Sequence, residues 1–180
     1  MKKLIYLFLL IPFLSFCQNK KKGEEIHWMT WQEAVKANEK APKKMLIDVY
    51  TEWCGWCKKM DKSTYEDKNV VKYINANYYA VKMDAEMEDT IQFNNHTFTK
   101  TEPGNKKSPH QLAVALLNGK MGYPSTVFLD EKFNMLTPVQ GYLEVDHIEM
   151  YLKFFGQNIY SSKKWEEYEK EFKSEFVPQE

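Results

Sequence analysis

The order of apolar and polar positions divides the chain into alternating helical and strand-like stretches. Thr30-Trp31-Gln32-Glu33 is a capping box, with Thr30 at the N-cap and Glu33 at N3. It opens a helix that carries Ala34, Val35 and Ala37 and ends near Lys40, before Pro42. Met45 to Tyr50 is a near-continuous apolar run, the pattern of a strand buried on both faces, and Asp48 interrupts it. A helix is expected from about Cys54 to Asp61, and another from Asp67 to Ala76 with Val70, Val71 and Ile74 on one face. Tyr78 to Asp84 is the next strand. Met87 to Phe93 reads as helical, and Thr97 to Lys107 as a polar loop around Pro103-Gly104. Ser108-Pro109-His110-Gln111 reads as a helix start with Ser108 at the N-cap, and Gly119 stops that helix after Leu117. Ser125–Leu129 and Met135–Gln140 form a hairpin around Asp130 to Asn134. Asp146 caps a helix that runs to Phe155, and Lys163 to Phe176 is a charged amphipathic helix. Helices alternating with strands, closed by an antiparallel hairpin, predict an α/β fold.

The ends of the chain modify this picture. Met1-Lys2-Lys3 followed by the apolar run Leu4 to Phe16 is the pattern of an export signal, too short for the ~20 residues of a spanning helix. Cys17 has two readings. It is the lipid-bearing first residue after a lipoprotein-type box, Leu14-Ser15-Phe16-Cys17, or the last residue of an ordinary signal in which Ser15 and Cys17 occupy the small-residue positions. Residues 1–17 are therefore assigned to export, 18–25 to a polar tether, 26–156 to one domain and 157–180 to a C-terminal helical extension. The location expected is periplasmic or otherwise extracytoplasmic. With 43% apolar and 28% charged residues the chain is globular, and 180 residues suffice for one domain. Lys plus Arg equals Asp plus Glu at 25 each, so the electrostatic footprint of a nucleic-acid binder is missing. Loss of residues 1–17 removes Lys2 and Lys3 and leaves 23 bases against 25 acids, net −2.

The candidate chemistry lies in Trp53-Cys54-Gly55-Trp56-Cys57-Lys58. A strand ends there and a helix begins. Cys54 at the helix N-terminus is placed where free backbone N–H groups and the macrodipole favour a thiolate, the nucleophilic form. Cys57, one turn on, is close enough to bond to it. Cys54 would attack a substrate disulfide and Cys57 would resolve the mixed disulfide. Trp53 and Trp56 offer an apolar contact surface, with Gly55 between them. A zinc site would need two further ligands, and His27, His96, His110 and His147 show no ligand spacing. Lys58 after Cys57 excludes c-type haem attachment, so no metal or cofactor is expected. A merely structural disulfide remains an alternative. Asp48, a carboxylate inside an apolar strand, should have a raised pKa and is a candidate proton acceptor for Cys57.

Met45 to Lys58 (MLIDVYTEWCGWCK) resembles the active-site strand and helix of thioredoxin. It is more similar still to exported bacterial thioredoxin-like proteins related to the C-terminal domain of the DsbD reductant carrier. The resemblance covers residues 26–156 and implies a thioredoxin-like fold, a central mixed sheet flanked by helices. It further implies that Lys82 pairs with Asp48, and that Gly122-Tyr123-Pro124-Ser125-Thr126 is a cis-proline loop facing the cysteines, with the Tyr123 backbone pairing with substrate. Gly141 matches a glycine near that site. Gly55-Trp56 replaces the Gly-Pro of thioredoxin, and no histidine stands beside the thiolate, which argues against a strongly oxidising pair. Residues 86–121 exceed the family's connecting helix and form an insertion. The expectation is an exported thiol–disulfide oxidoreductase that reduces protein disulfides and draws electrons from a DsbD-type membrane carrier. A disulfide isomerase or oxidant of the same fold is one alternative. A non-catalytic binding or chaperone module is another.

Overall fold

The computed structural model describes residues 24–178. The export segment, Cys17 and most of the tether lie outside the described residues. Strands β1 (Trp28–Met29), β2 (Lys44–Tyr50), β3 (Tyr78–Asp84), β6 (Ser125–Leu129) and β7 (Met135–Gln140) form one sheet in the order β1-β3-β2-β6-β7. A separate ribbon pairs β4 (Ile91–Phe93) with β5 (His96–Phe98). β1, β3 and β2 are parallel, and β6 and β7 run antiparallel to their neighbours, giving the mixed sheet. The helices are α1 (Trp31–Lys40), α2 (Gly55–Ser63), α3 (Lys68–Asn77), α4 (Gln111–Leu116), α5 (Val145–Gly156) and α6 (Trp165–Glu171), with a 3-10 turn at Ile159–Ser161.

The sheet is covered on both faces, which explains the apolar run of β2. Met45, Ile47 and Val49 pack with Trp31 and Ala34 of α1 and with Leu112 and Leu116 of α4. Leu46 packs with Met60 of α2, Val70 and Ile74 of α3, and Ile148 and Leu152 of α5. Because side chains alternate along a strand, Asp48 shares the face of Leu46, towards α2. β1 was not foreseen from its two short, half-buried residues; its pairing to β3, Trp28 beside Ala80, creates it.

Local signals succeeded where a side chain caps its own helix. Thr30 and Glu33 form the reciprocal capping box of α1, and Asp67 Oδ1 accepts the N–H groups of Asn69 and Val70 at the start of α3. Elsewhere the structure corrects the expectation. Met87 to Phe93 is not a helix: Asn94 and Asn95 both adopt positive φ (49° and 61°), the geometry of a two-residue hairpin turn, and Ile91 to Phe98 pairs on itself. α4 starts later than Ser108. Buried His110 is its N-cap, Nδ1 accepting the Leu112 N–H at 3.2 Å, while Ser108 Oγ donates to the Glu102 and Asn105 carbonyls. α5 begins at Val145 with Glu144 as N-cap, because Asp146 Oδ1 takes the N–H of the adjacent His147 instead. α2 runs on to Ser63, two residues past the expected end.

The largest correction is at the C-terminus. The expected helix Lys163–Phe176 breaks at Glu171, and the chain folds back over α5. Fully buried Glu149 is the cause. Its carboxylate accepts the N–H groups of Glu175 (3.0 Å) and Phe176 (3.1 Å) and the Ser174 hydroxyl, and pairs with Lys153 at 2.7 Å. Tyr168, Trp165 and Phe176 join the core on the α5 face. Removing the carboxylate strands the Glu175 and Phe176 backbone donors and leaves Lys153 with Glu175 alone, so Glu149→Ala is expected to lower stability by about 2–4 kcal/mol in urea unfolding. An unchanged midpoint would show that the tail adds nothing.

Candidate active site

The candidate site begins where β2 ends. The chain turns through Thr51, Glu52 and Trp53, closed by the Cys54 N–H donating to the Thr51 carbonyl at 3.0 Å. Cys54 is the N-cap of α2, and its Sγ accepts the Cys57 N–H at 3.1 Å. The orphan donor and the positive end of the helix would both stabilise a Cys54 thiolate once the bond to Cys57 opens. Cys54 and Cys57 are joined in a disulfide, with Cα atoms 5.3 Å apart. Both are buried, whereas Trp53 and Trp56 are 62% and 59% exposed. Gly55 faces open space: a Cβ there would meet nothing within 4 Å.

A second loop closes over this turn. The Tyr123–Pro124 peptide is cis, and the Tyr123 ring meets that of Trp53 edge-on at 5.9 Å. Gly141, at a φ of +103° that favours glycine, donates its N–H to the Pro124 carbonyl at 2.8 Å. Tyr142 follows, and its ring lies 5.5 Å from that of Trp56.

Asp48 lies beside Lys82 in the β2–β3 register and beside Thr126 in the β2–β6 register. Lys82 Nζ is 2.5 Å from Asp48 Oδ2 and is also ion-paired to Asp61 of α2. Its ammonium lies 5.1, 5.0 and 5.6 Å from the ring centres of Trp28, Tyr50 and Tyr65. Asp61 is four residues beyond Cys57, so the ion triad joins α2 one turn past the inner cysteine. Burial pushes the Asp48 carboxyl up to about 6 against the opposing pull of Lys82. For Lys82, burial works against the charge, but Asp48 and Asp61 more than offset it and the pKa is raised. Asp48 Oδ1 has no hydrogen-bond partner among the described residues, which leaves it a lone pair for a proton. A cavity of about 320 Å³, lined by Trp28, Asp61, Tyr65 and Lys82, borders the triad.

The structure thus sets exposed Trp53, Gly55 and Trp56 around the buried Cys54 and Cys57, brings half-buried Tyr123, next to buried Pro124, against Trp53, and places Asp48 and Lys82 in the sheet below. Sequence reasoning missed Asp61, Glu86, Lys59 and Tyr142. Asp61 had a signal, its helical spacing from Cys57. Glu86 had none: its carboxylate accepts the Trp53 Nε1–H at 2.9 Å from the turn after β3, 33 residues away. A cavity of about 900 Å³ lies between β7 and Tyr160–Glu166, and its lining includes no cysteine. Glu144, Asp146 and His147 bring ligand-type atoms within 4.8 Å of one another near the surface, but Asp146 already engages His147 Nδ1 at 2.9 Å.

The model of the family Thioredox_DsbH, described as a protein of unknown function (DUF255), matches residues 12–175. The chain belongs to this family. An uncharacterized protein of Caenorhabditis elegans is 26% identical over 113 residues, 62% of this Thioredox_DsbH chain, which spans only 13% of that relative's length. A solved structure described as DsbH oxidoreductase matches with a TM-score of 0.52 at 16% identity, over 75% of this chain and 87% of that one. A thioredoxin from Thermus thermophilus matches with a TM-score of 0.54 at 14% identity, over 73% and 87%. At these identities the likeness is one of fold, and the fold is thioredoxin-like. A CxxC disulfide at a helix N-terminus of that fold supports thiol–disulfide redox chemistry in general. Among the described residues no helix is long and apolar enough to cross a membrane.

The raised Asp48 carboxyl has a consequence for stability. Between pH ~4 and about 6 the native state holds a proton that the unfolded chain has released, so the fold loses stability as pH rises through this window. Asp48→Asn is therefore expected to stabilise the protein by about 1–3 kcal/mol at pH 8, a gain that vanishes below pH ~4. Unfolding midpoints across pH check this, and a gain independent of pH would contradict it.

Proposed function

We propose that the protein is an exported thiol–disulfide oxidoreductase that reduces protein disulfides, with Cys54 as nucleophile and Cys57 as resolving thiol. The observation that carries this reading is the Cys54–Cys57 disulfide at the N-terminus of α2, flanked by two exposed tryptophans, one of which meets the Tyr123 ring of the cis-proline loop. In the reduced protein, the Cys54 thiolate attacks one sulfur of a substrate disulfide. The Cys54–substrate bond forms, the substrate S–S bond breaks, and one substrate thiolate leaves and takes a proton. Cys57, its proton passed to Asp48, then attacks Cys54 Sγ and expels the second substrate thiolate, which is protonated in turn. Two electrons and two protons move from the protein dithiol to the substrate, and the disulfide seen here is the oxidised product. A partner dithiol must reverse it, and a membrane electron carrier of DsbD type fits that role. Lys82 and Asp61 position Asp48, and Trp53, Gly55, Trp56, Tyr123 and Pro124 form the contact surface.

Export rests on the pattern of residues 1–17, with Cys17 as lipid attachment point or as the last residue of the signal. A reducing role is favoured over an isomerase or oxidant by Gly55-Trp56 between the cysteines, which provides no histidine to stabilise the thiolate. A reduction potential near about −120 to −180 mV would favour those alternatives instead. Cys54→Ser is expected to abolish insulin-disulfide reduction while far-UV circular dichroism stays unchanged, and Cys57→Ala to trap substrate as a mixed disulfide on Cys54. Retained insulin reduction by Cys54→Ser would sink the assignment; an inert disulfide of very low potential would instead mark a structural bridge in a binding module.

A further inference from the structure

The two exposed tryptophans beside Cys54 belong to two clusters of the same design and opposite charge. Trp53 is braced by Tyr123, and its Nε1–H donates to the Glu86 carboxylate at 2.9 Å. Trp56 is braced by Tyr142, and the Lys59 ammonium lies 4.7 Å from the ring centre of each. Each cluster therefore offers a flat aromatic face with a charge fixed to it.

The charges around each cluster reinforce that polarity. Asp84 Oδ1 accepts the Glu86 N–H at 2.9 Å. Burial raises the Asp84 carboxyl, the Glu86 N–H and Lys100 oppose the rise, and the neighbouring Glu86 and Glu52 charges add to it. Lys100, the cation within reach, is buried; it is spent on Glu88 and on the Glu86 and Lys106 carbonyls, so little of its charge reaches the surface. On the other side, exposed Lys58 adds to Lys59. The long segment after β3 thereby acquires a purpose: the Lys100 contacts and the His110 N–H, which donates to the Ala85 carbonyl at 2.7 Å, hold Glu86 against Trp53.

We propose that this surface selects a protein segment by a pair of opposite charges flanking its exchanging cysteine, a Lys or Arg that meets Glu86 beside Trp53 and an Asp or Glu that meets Lys59 beside Trp56. The proposal rests on the redox reading above and names its substrate class. Rim charges of this kind act on encounter and orientation more than on final affinity, and salt screens them.

The test uses the full chain, reduced beforehand, and two homodimeric peptide disulfides of the same composition, one with Lys before and Glu after the cysteine, the other with the order exchanged. Each protein dithiol reduces one peptide disulfide to two thiols, and the rate is read from tryptophan fluorescence. At about 0.01 M salt one order should react roughly tenfold faster than the other. The ratio should fall to near one at about 1 M salt. Glu86→Gln, which keeps an acceptor for Trp53, and Lys59→Gln should each move the ratio towards one, and the double exchange Glu86→Lys with Lys59→Glu should invert it. Equal rates for both orders at low salt, or a ratio that survives high salt, overturn the charge selection and leave the redox reading standing. No reduction of either peptide overturns the redox reading, and the proposal falls with it.

Discussion

A carboxylate stands in the central strand of the sheet, and the rest of the site is arranged around keeping it there. Asp48 is 1% exposed, and an unpaired charge in such a place would cost many kcal/mol. Lys82 answers it from the adjacent position of β3 and is anchored in turn by Asp61 of α2. This one interaction constrains three elements. A slip of one residue in β2 would turn Asp48 towards α1 and α4, where Met45, Ile47 and Val49 now pack, and would separate it from α2. The ion triad therefore sets the register of the two inner parallel strands and the seat of the helix that carries both cysteines.

The geometry above the sheet follows from that seat. β2 delivers the chain to the Thr51–Cys54 turn, α2 starts with a sulfur as its cap, and β6 starts immediately after Pro124. Gly141 then binds the Pro124 carbonyl, so the two loops carrying Tyr123 and Tyr142 are fixed to each other before either meets a tryptophan. The aromatic surface is thus mounted on backbone hydrogen bonds of the central sheet, while its charges come from outside: Lys59 from α2 and Glu86 from the start of the long segment that follows β3.

Legibility in the sequence tracked the range of the interaction concerned. Thr30 with Glu33, and Asp67 with Val70, are closed within one turn, and both helix starts were readable. The β4–β5 ribbon was lost because Met87 and Ile91, four residues apart, fit one face of a helix, whereas Ile91 and Phe93, two apart, fit one face of a strand; the deciding feature was the readiness of Asn94 and Asn95 for positive φ. The end of α6 was unreadable because the competitor for its backbone N–H groups is Glu149, 26 residues away from Glu175. Within the site, Cys54, Cys57 and the two tryptophans announce themselves by adjacency. Lys82 was reached by resemblance, and its spacing alone fits an exposed strand lysine equally well. Glu86 was invisible, since nothing near it refers to Trp53.

The sequence by itself determined that a strand covered on both faces leads into a helix whose cap is a cysteine, with a second cysteine one turn below and a charge embedded in the strand. Those features depend on periods of two and of 3.6 residues and on local backbone donors, which any short stretch of chain carries with it. Only the tertiary structure decided which partners that charge acquires, how the cis-proline loop meets Trp53, where the C-terminal segment stops being helical, and that an acid sits against Trp53 and a lysine over Trp56. Each of these is a contact between segments distant in sequence, chosen by packing and by the demand that buried polar groups find partners, and neither is written in the neighbours of a residue.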